Sequence, residues 1–294
     1  MAEWNFADIF ETVADHAPDR EAQVQGDRRL TWGDTDRRAD GVARALLAGG
    51  AGHQDKVALY LYNGPEYLEG CFAAWKAGLV PINTNYRYTA DELVYLWDNA
   101  DVIAVIFHAT FSDTIEPIRD QLPEITTWLW VDDGAGPCPA WATPYEDAAE
   151  STGDPVRTGQ PRSGDDLLML YTGGTTGMPK GVMWRQHDLI QGVVGATNPT
   201  FAVDEPDLAA VRDDLPLGGP LLVLEGHCDC GSPHLDSRAV HEIAVAYRYA
   251  IDEHAIGAVG VQDPVPGFVA SDPKMKPRHH RVGDDEPVGR VRSD

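Results

Sequence analysis

Apolar and polar positions alternate along the first 210 residues in segments whose period switches between helix and strand. Phe6–His16 repeats its apolar residues at helical spacing and is closed by Pro18, which predicts a short amphipathic helix. Thr31 is placed as an N-cap for a helix running to about Ala48, ended by Gly49 and Gly50. KVALYLY (56–62) is an apolar, β-rich strand. Pro65–Lys76 carries Tyr67, Leu68, Cys71, Phe72 and Trp75 at helical spacing, and Gly78 closes it. LVPIN (79–83) is a short strand, Thr89 caps a helix through about Trp97, and DVIAVIFH (101–108) and TTWLWVDD (126–133) are further strands. Residues 134–165, rich in Pro, Gly and acidic side chains, read as a surface excursion before the strand LLMLYT (167–172). Strands alternating with helices over short connections imply an α/β layered fold with a mainly parallel sheet. Runs such as VIAVIF suit strands covered on both faces.

A chain of 294 residues with 43% hydrophobic content can bury a sizeable core in one large domain or two smaller ones. Its 47 acidic against 23 basic residues give a net charge of −24, which argues against nucleic acid and anionic membrane surfaces as partners. No run of 18 apolar residues appears, so no membrane-spanning helix is expected. The N-terminus is acidic and lacks the basic-then-apolar order of a secretory signal. Four cysteines, Cys71, Cys138, Cys228 and Cys230, make no disulfide framework in a chain of this length. These features together lead us to expect a cytoplasmic protein.

The candidate chemistry lies in YTGGTTGMPKG (171–181), directly after LLMLYT. Glycines let backbone N–H groups approach an anion, threonine hydroxyls add donors, and Lys180 adds a compact positive charge. This combination points to phosphate. A plain surface turn is the competing reading of any Gly- and Thr-rich stretch. The Walker pattern is not met, because Met178 stands where it needs glycine and Pro179 precedes the lysine. Proline disfavours helix at the residue before it, so the loop does not open a helix in the Walker manner. The order of residues is more telling. YTGGTTGMPKGVMWRQHDL resembles the phosphate-loop signature of the adenylate-forming superfamily, which includes acyl-CoA synthetases, and the ten positions Thr172–Gly181 all fit it.

The resemblance extends more weakly upstream. LTWGDTDRRADGVARALLAGG is similar to an early helix of acyl-CoA synthetases, and KVALYLYNGPEYLEGCFAAWKAGLVPINTNYRYTADELVYLWDNADV to the segment that follows it in them. MWRQHDL points toward members acting on lipid-derived acids. The resemblance implies a partial N-terminal large domain over 1–213, lacking the C-terminal domain, then a divergent tail at 214–294. It implies ATP, Mg2+ and CoA as reactants, with a fatty or lipid-derived acid as the small-molecule partner. It makes Thr172, Thr175 and Thr176 hydroxyl donors, Gly173, Gly174 and Gly177 backbone donors, and Lys180 the charge. No catalytic residue is assigned beyond these, and a truncated, catalytically silent relative is the rival reading.

After about Asp213 the family pattern is lost: its later glycine, glutamate and aspartate motifs and its C-terminal lysine are not found. The tail has one plausible helix near Ser237–Ile251, and from Asp263 its Pro, Asp, Arg and Gly content reads as poorly ordered. A shifted reading frame is one hypothesis for its origin. GHCDCGSPH (226–234) brings His227, Cys228, Cys230 and His234 together, but the spacing is poor for one tetrahedral ion, so no metal site is assigned. His279 and His280 read as a solvated basic patch, and His187 as a helix-start residue. The aromatic residues at 60, 62, 67, 75, 95 and 97 read as core and helix-face packing.

Overall fold

A computed structural model of the chain describes residues 3–156, 162–172, 179–196, 199–213 and 222–224. α1 (Phe6–His16) starts at Asn5, whose side chain accepts from the Asp8 amide at 2.9 Å and so satisfies one orphan helix donor. Its Phe6, Ile9, Phe10 and Val13 form one buried stripe. β1 (Glu21–Gln25) and β2 (Arg28–Thr31) form an antiparallel hairpin turned at Gly26, which sits at φ +56°. α2 (Trp32–Ala48) opens with a capping box between Thr31 and Asp34.

The main sheet follows: β3 (Lys56–Tyr60), α3 (Pro65–Lys76), β4 (Val80–Asn83), α4 (Ala90–Asn99), β5 (Val102–His108), α5 (Ser112–Ile115), β6 (Thr127–Val131), β7 (Thr143–Pro144), α6 (Tyr145–Ala149), β8 (Leu167–Thr172) and β9 (Lys180–Arg185). α7 (Gln186–Leu189), α8 (Leu208–Asp213) and β10 (Leu222–Leu224) complete the described chain. The seven strands are ordered β7-β6-β5-β3-β4-β8-β9, all parallel except the β8–β9 hairpin. This is the expected α/β layering, with the element positions in 56–131 matching the periodicity. β10 lies beyond the family pattern and pairs parallel with β1.

Alternation along β3 shows the two-sided burial. Val57 and Leu59 join one apolar cluster with α1, α2 and α3, while Ala58 and Tyr60 join another with α4 and α5. Pro81 makes β4 unusual for an interior strand, since it has no N–H to give a ladder. β4 meets β8 at a single register pair, Ile82 with Met169.

Two expectations need correction, and one element carries too little signal to be predicted. The hairpin β1–β2 has only Ala22, Val24 and Leu30 as apolar residues, among polar and charged ones. The 134–165 excursion is more than surface: Tyr145, Ala148 and Ala149 of α6 are buried against α2. Tyr62 does not join the core but is 42% exposed. The proposed tail helix, the His/Cys run at 226–234, His279 and His280 all fall outside the described residues.

Candidate functional site

Because β3, β4, β5 and β8 run parallel, their carboxyl ends share one edge of the sheet. The chain leaves β3 toward β4 on one side and leaves β5 toward β6 on the other, so the connections diverge between β3 and β5. In open α/β sheets, ligands bind in the crevice at such a point, outside the carboxyl ends.

β8 delivers the Gly- and Thr-rich loop to this edge. Tyr171 pairs with Gly181 and Thr172 with Lys180 in the β8–β9 ladder. The ladder thus closes the loop's base, with Thr172 and Lys180 directly opposite, about 4.5–5.5 Å apart at Cα as such pairs are. Chain direction after Pro179 is strand, not helix, which agrees with the failure of the Walker pattern. Lys180 is exposed. Gly173, Gly174, Thr175, Thr176 and Gly177 lie outside the described residues, as does the side chain of Thr172. Of the assigned site, the structure places the two ends of the loop.

The base is held from beneath by Tyr171, which is 7% exposed. A Cβ on Gly181 would stand 3.1 Å from the Tyr171 ring, so the ring lies flat against the glycine across the ladder. The Tyr171 hydroxyl donates to Asn99 Oδ1 at 2.8 Å, at the end of α4. Burial is the first cause of the rise in the Tyr171 pKa.

Where the connections diverge, His108 ends β5. The Tyr62 amide donates to His108 Nδ1 at 3.0 Å, which leaves Nε2 to carry the proton of the neutral ring. Burial pushes the imidazole below the usual histidine range, against the opposing pull of Glu66 and Asp133. Above it, the Tyr62 ring lies 5.1 Å from Tyr86 and 5.0 Å from Phe111, and Arg87 sits 5.2 Å from the Tyr86 ring. Exposed aromatic faces beside a guanidinium suit stacking by a flat ring. Periodicity placed Tyr62 in the strand; what it missed is that β3 ends at Tyr60, leaving Tyr62 past the covered layer.

Two buried charge networks fix the helices behind the edge. Arg38 of α2, its side chain 4% exposed, donates to Glu69 at 2.8 Å, to both Glu146 oxygens at 2.9 Å and to Glu150 at 2.7 Å. Tyr145 donates to the other Glu69 oxygen at 2.9 Å. Burial pushes the Glu69 carboxyl up, with Arg38 offsetting part of that rise. Lys76 is 1% exposed and meets Asp36 at 2.5 Å, Asp40 at 2.9 Å and Glu11 at 3.3 Å. Arg162 bridges Asp8 and Glu11 of α1. The sequence signal for these was faint: acidic residues at inward positions of α2, and a lysine before Ala77-Gly78. His187 accepts from the Trp4 amide at 3.2 Å within α7, the structural role expected of it. Among the described residues, no helix is long and apolar enough to cross a membrane.

A family profile described as AMP-binding enzyme matches residues 10–217. A ligase of Mycolicibacterium smegmatis, named for medium- and long-chain fatty acids and 3-oxocholest-4-en-26-oate, is 38% identical over 209 residues, covering 69% of this chain and 36% of its own length. A medium-chain acyl-CoA ligase of Mycobacterium avium, Mig, is 38% identical over 219 residues, covering 67% of this chain and 39% of itself. The inhibitor-bound N-terminal domain of FACL13 from Mycobacterium tuberculosis superposes with a TM-score of 0.57 at 25% identity, covering 69% of this chain and 49% of that one. The chain therefore spans less than two-fifths of the length of these curated relatives.

Proposed function

The chain belongs to the AMP-binding enzyme family, and on that premise we propose that its lineage activates a fatty or lipid-derived carboxylic acid with ATP and passes it to CoA. The carrying observation is the Thr172–Lys180 ladder pair, which closes a Gly- and Thr-rich loop at the carboxyl edge of the sheet. The relatives' names support the acid class: fatty acids of medium and long chain, and a steroid side-chain acid.

In the proposed first step the carboxylate oxygen attacks the α-phosphorus of ATP, and the bond to the bridging oxygen breaks to release pyrophosphate. In the second, the CoA thiol attacks the acyl carbon and AMP leaves. The loop's amides and hydroxyls, with Lys180, hold the departing phosphates in line, which is positioning and electrostatic stabilisation. The first step needs no base, since a carboxyl with a pKa near 4 is ionised at neutral pH. Mg2+ carried on the nucleotide would screen the phosphate charge. The Tyr62–Tyr86 face offers a surface for the flat base of a nucleotide, and Arg87 a positive charge for its phosphates.

We assign this character to residues 1–213 and treat 214–294 as a divergent tail, whose β10 pairs with β1. A second reading, a phosphate-binding relative without turnover, is favoured by the family match ending at residue 217. An acyl-CoA assay with ATP, CoA and a panel of fatty and steroid acids separates the two: turnover supports the first reading, none the second. The phosphate site itself is tested by titrating the full chain with pyrophosphate, followed by NMR or calorimetry. A Kd of about 1 mM, near −4 kcal/mol, is expected. Lys180→Ala should weaken it by about 1.5–3 kcal/mol, the usual contribution of a charge-assisted hydrogen bond. Equal binding by both proteins would overturn the reading.

A further inference from the structure

We propose that Tyr171 is a positioning residue for the phosphate loop, acting through Gly181 and Asn99 and touching no ligand itself; this rests on the phosphate-site reading above. Three observations carry it. The Tyr171 ring crosses the ladder to lie against Gly181, with its Cζ, Cε2 and Oη at 3.1, 3.2 and 3.3 Å from where a Cβ would stand. Its hydroxyl reaches Asn99 Oδ1 at 2.8 Å, tying the β8–β9 stem to α4. The stem needs such a tie, because β8 joins the rest of the sheet through one register pair with β4.

The arrangement sets where the loop's two ends stand. Thr172 and Lys180 are the next pair after Tyr171 and Gly181. A shift of the ring moves Gly181, and with it the peptide that carries Lys180. A glycine at the end of the Pro179-Lys180-Gly181 run suits this packing, because a Cβ there would stand 3.1–3.3 Å from the ring and press it by a few tenths of an ångström. α4 is in turn fixed by Trp97, whose indole N–H donates to Thr84 Oγ1 at 3.2 Å. The chain of contacts therefore runs from the β4 exit through α4 and Tyr171 to the lysine.

The test uses the full chain, pyrophosphate as the probe, and four variants: Tyr171→Phe, Asn99→Ala, their double, and Lys180→Ala. Tyr171→Phe keeps the ring on Gly181 and loses only the tie. Pyrophosphate affinity should fall about 3–10-fold, as losing one hydrogen bond of ordinary strength does, with the melting temperature within about 2 °C of wild type. Asn99→Ala should fall equally, and the double variant no further than either single one, because both cut the same bond. The amide resonances of Thr172 and Lys180 should shift in both single variants. If Lys180→Ala weakens binding while Tyr171→Phe and Asn99→Ala do not, the positioning role is overturned and the phosphate site stands. If additive losses appear in the double variant, the tie is not the cause and the proposal fails. If Lys180→Ala binds as wild type does, the phosphate-site reading fails and the proposal with it.

Discussion

Replacing Arg38 by Met should be among the most destabilising single changes in the described chain. The guanidinium side chain is 4% exposed and serves three carboxylates of unlike standing. Glu146 and Glu150 are 53% and 56% exposed, so on losing Arg38 they return to water at a cost of about 0–1 kcal/mol each. Glu69 is fully buried and has no such escape. Removing one partner of a buried pair costs about 3–5 kcal/mol, because the other charge is left uncompensated or must take a proton. Against a typical total of about 5–15 kcal/mol, that is a large fraction. Urea unfolding followed by tryptophan fluorescence reads it as a shift in midpoint. A second change, Arg38→Met with Glu69→Gln, removes the stranded charge while leaving an oxygen for Tyr145, and should recover half or more of the loss. The pH dependence follows. Without Arg38, the Glu69 carboxyl rises further above its unfolded value, so the folded state holds the extra proton between the two. Stability lost as pH rises through that range returns as pH falls, and the deficit relative to wild type should shrink from pH 7 to pH 5. A loss under about 1 kcal/mol, or a double variant no more stable than the single one, would refute the reasoning.

His108 makes the opposite pH prediction. Its pKa lies below the unfolded value, so below about pH 6.5 the unfolded state takes up the proton first and stability falls with acidification. His108→Gln should lose less stability than wild type between pH 7 and pH 5 in parallel urea titrations; identical slopes would count against the burial argument. Gly41→Ala should destabilise by about 1–3 kcal/mol although alanine favours helices by about 1 kcal/mol, because the added Cβ would stand 2.3 Å from the Ala148 carbonyl oxygen. A stabilised Gly41→Ala protein would mean that α6 does not sit on α2 as described.

The parallel core was legible because its strands are continuous apolar runs and its helices carry start or stop signals such as Thr31, Gly78 and Thr89. VIAVIF can be read from 101–108 without knowing its neighbours, and Thr31 and Thr89 announce their helices. Residue order alone marked the Gly- and Thr-rich loop as the candidate phosphate site, and the structure describes only its Thr172 and Lys180 ends. What the sequence hid were features made by distant partners. Glu69 and Arg38 are 31 positions apart and Tyr145 another 76 beyond Glu69, so nothing local marks them as one network. α6 is five residues long inside a Pro- and Gly-rich stretch, too short for a period to emerge. Tyr62 was misplaced because an aromatic at strand spacing looks the same on either side of the strand's last covered residue.

Pro81 and the single Ile82–Met169 pair give the fold a schedule as well as a shape. β3, β4, β5 and β6 emerge consecutively and can pair as soon as residue 131 is made. β4 then has to wait for β8, which is complete at residue 172, about 40 residues later. At about 5–20 residues per second of synthesis, that edge stays open for roughly 2–8 s. An open strand edge invites pairing with other chains, and a proline on it is one means of discouraging that. The same missing N–H that thins the finished β4–β8 seam thus guards the nascent chain until the β8–β9 hairpin arrives to close it.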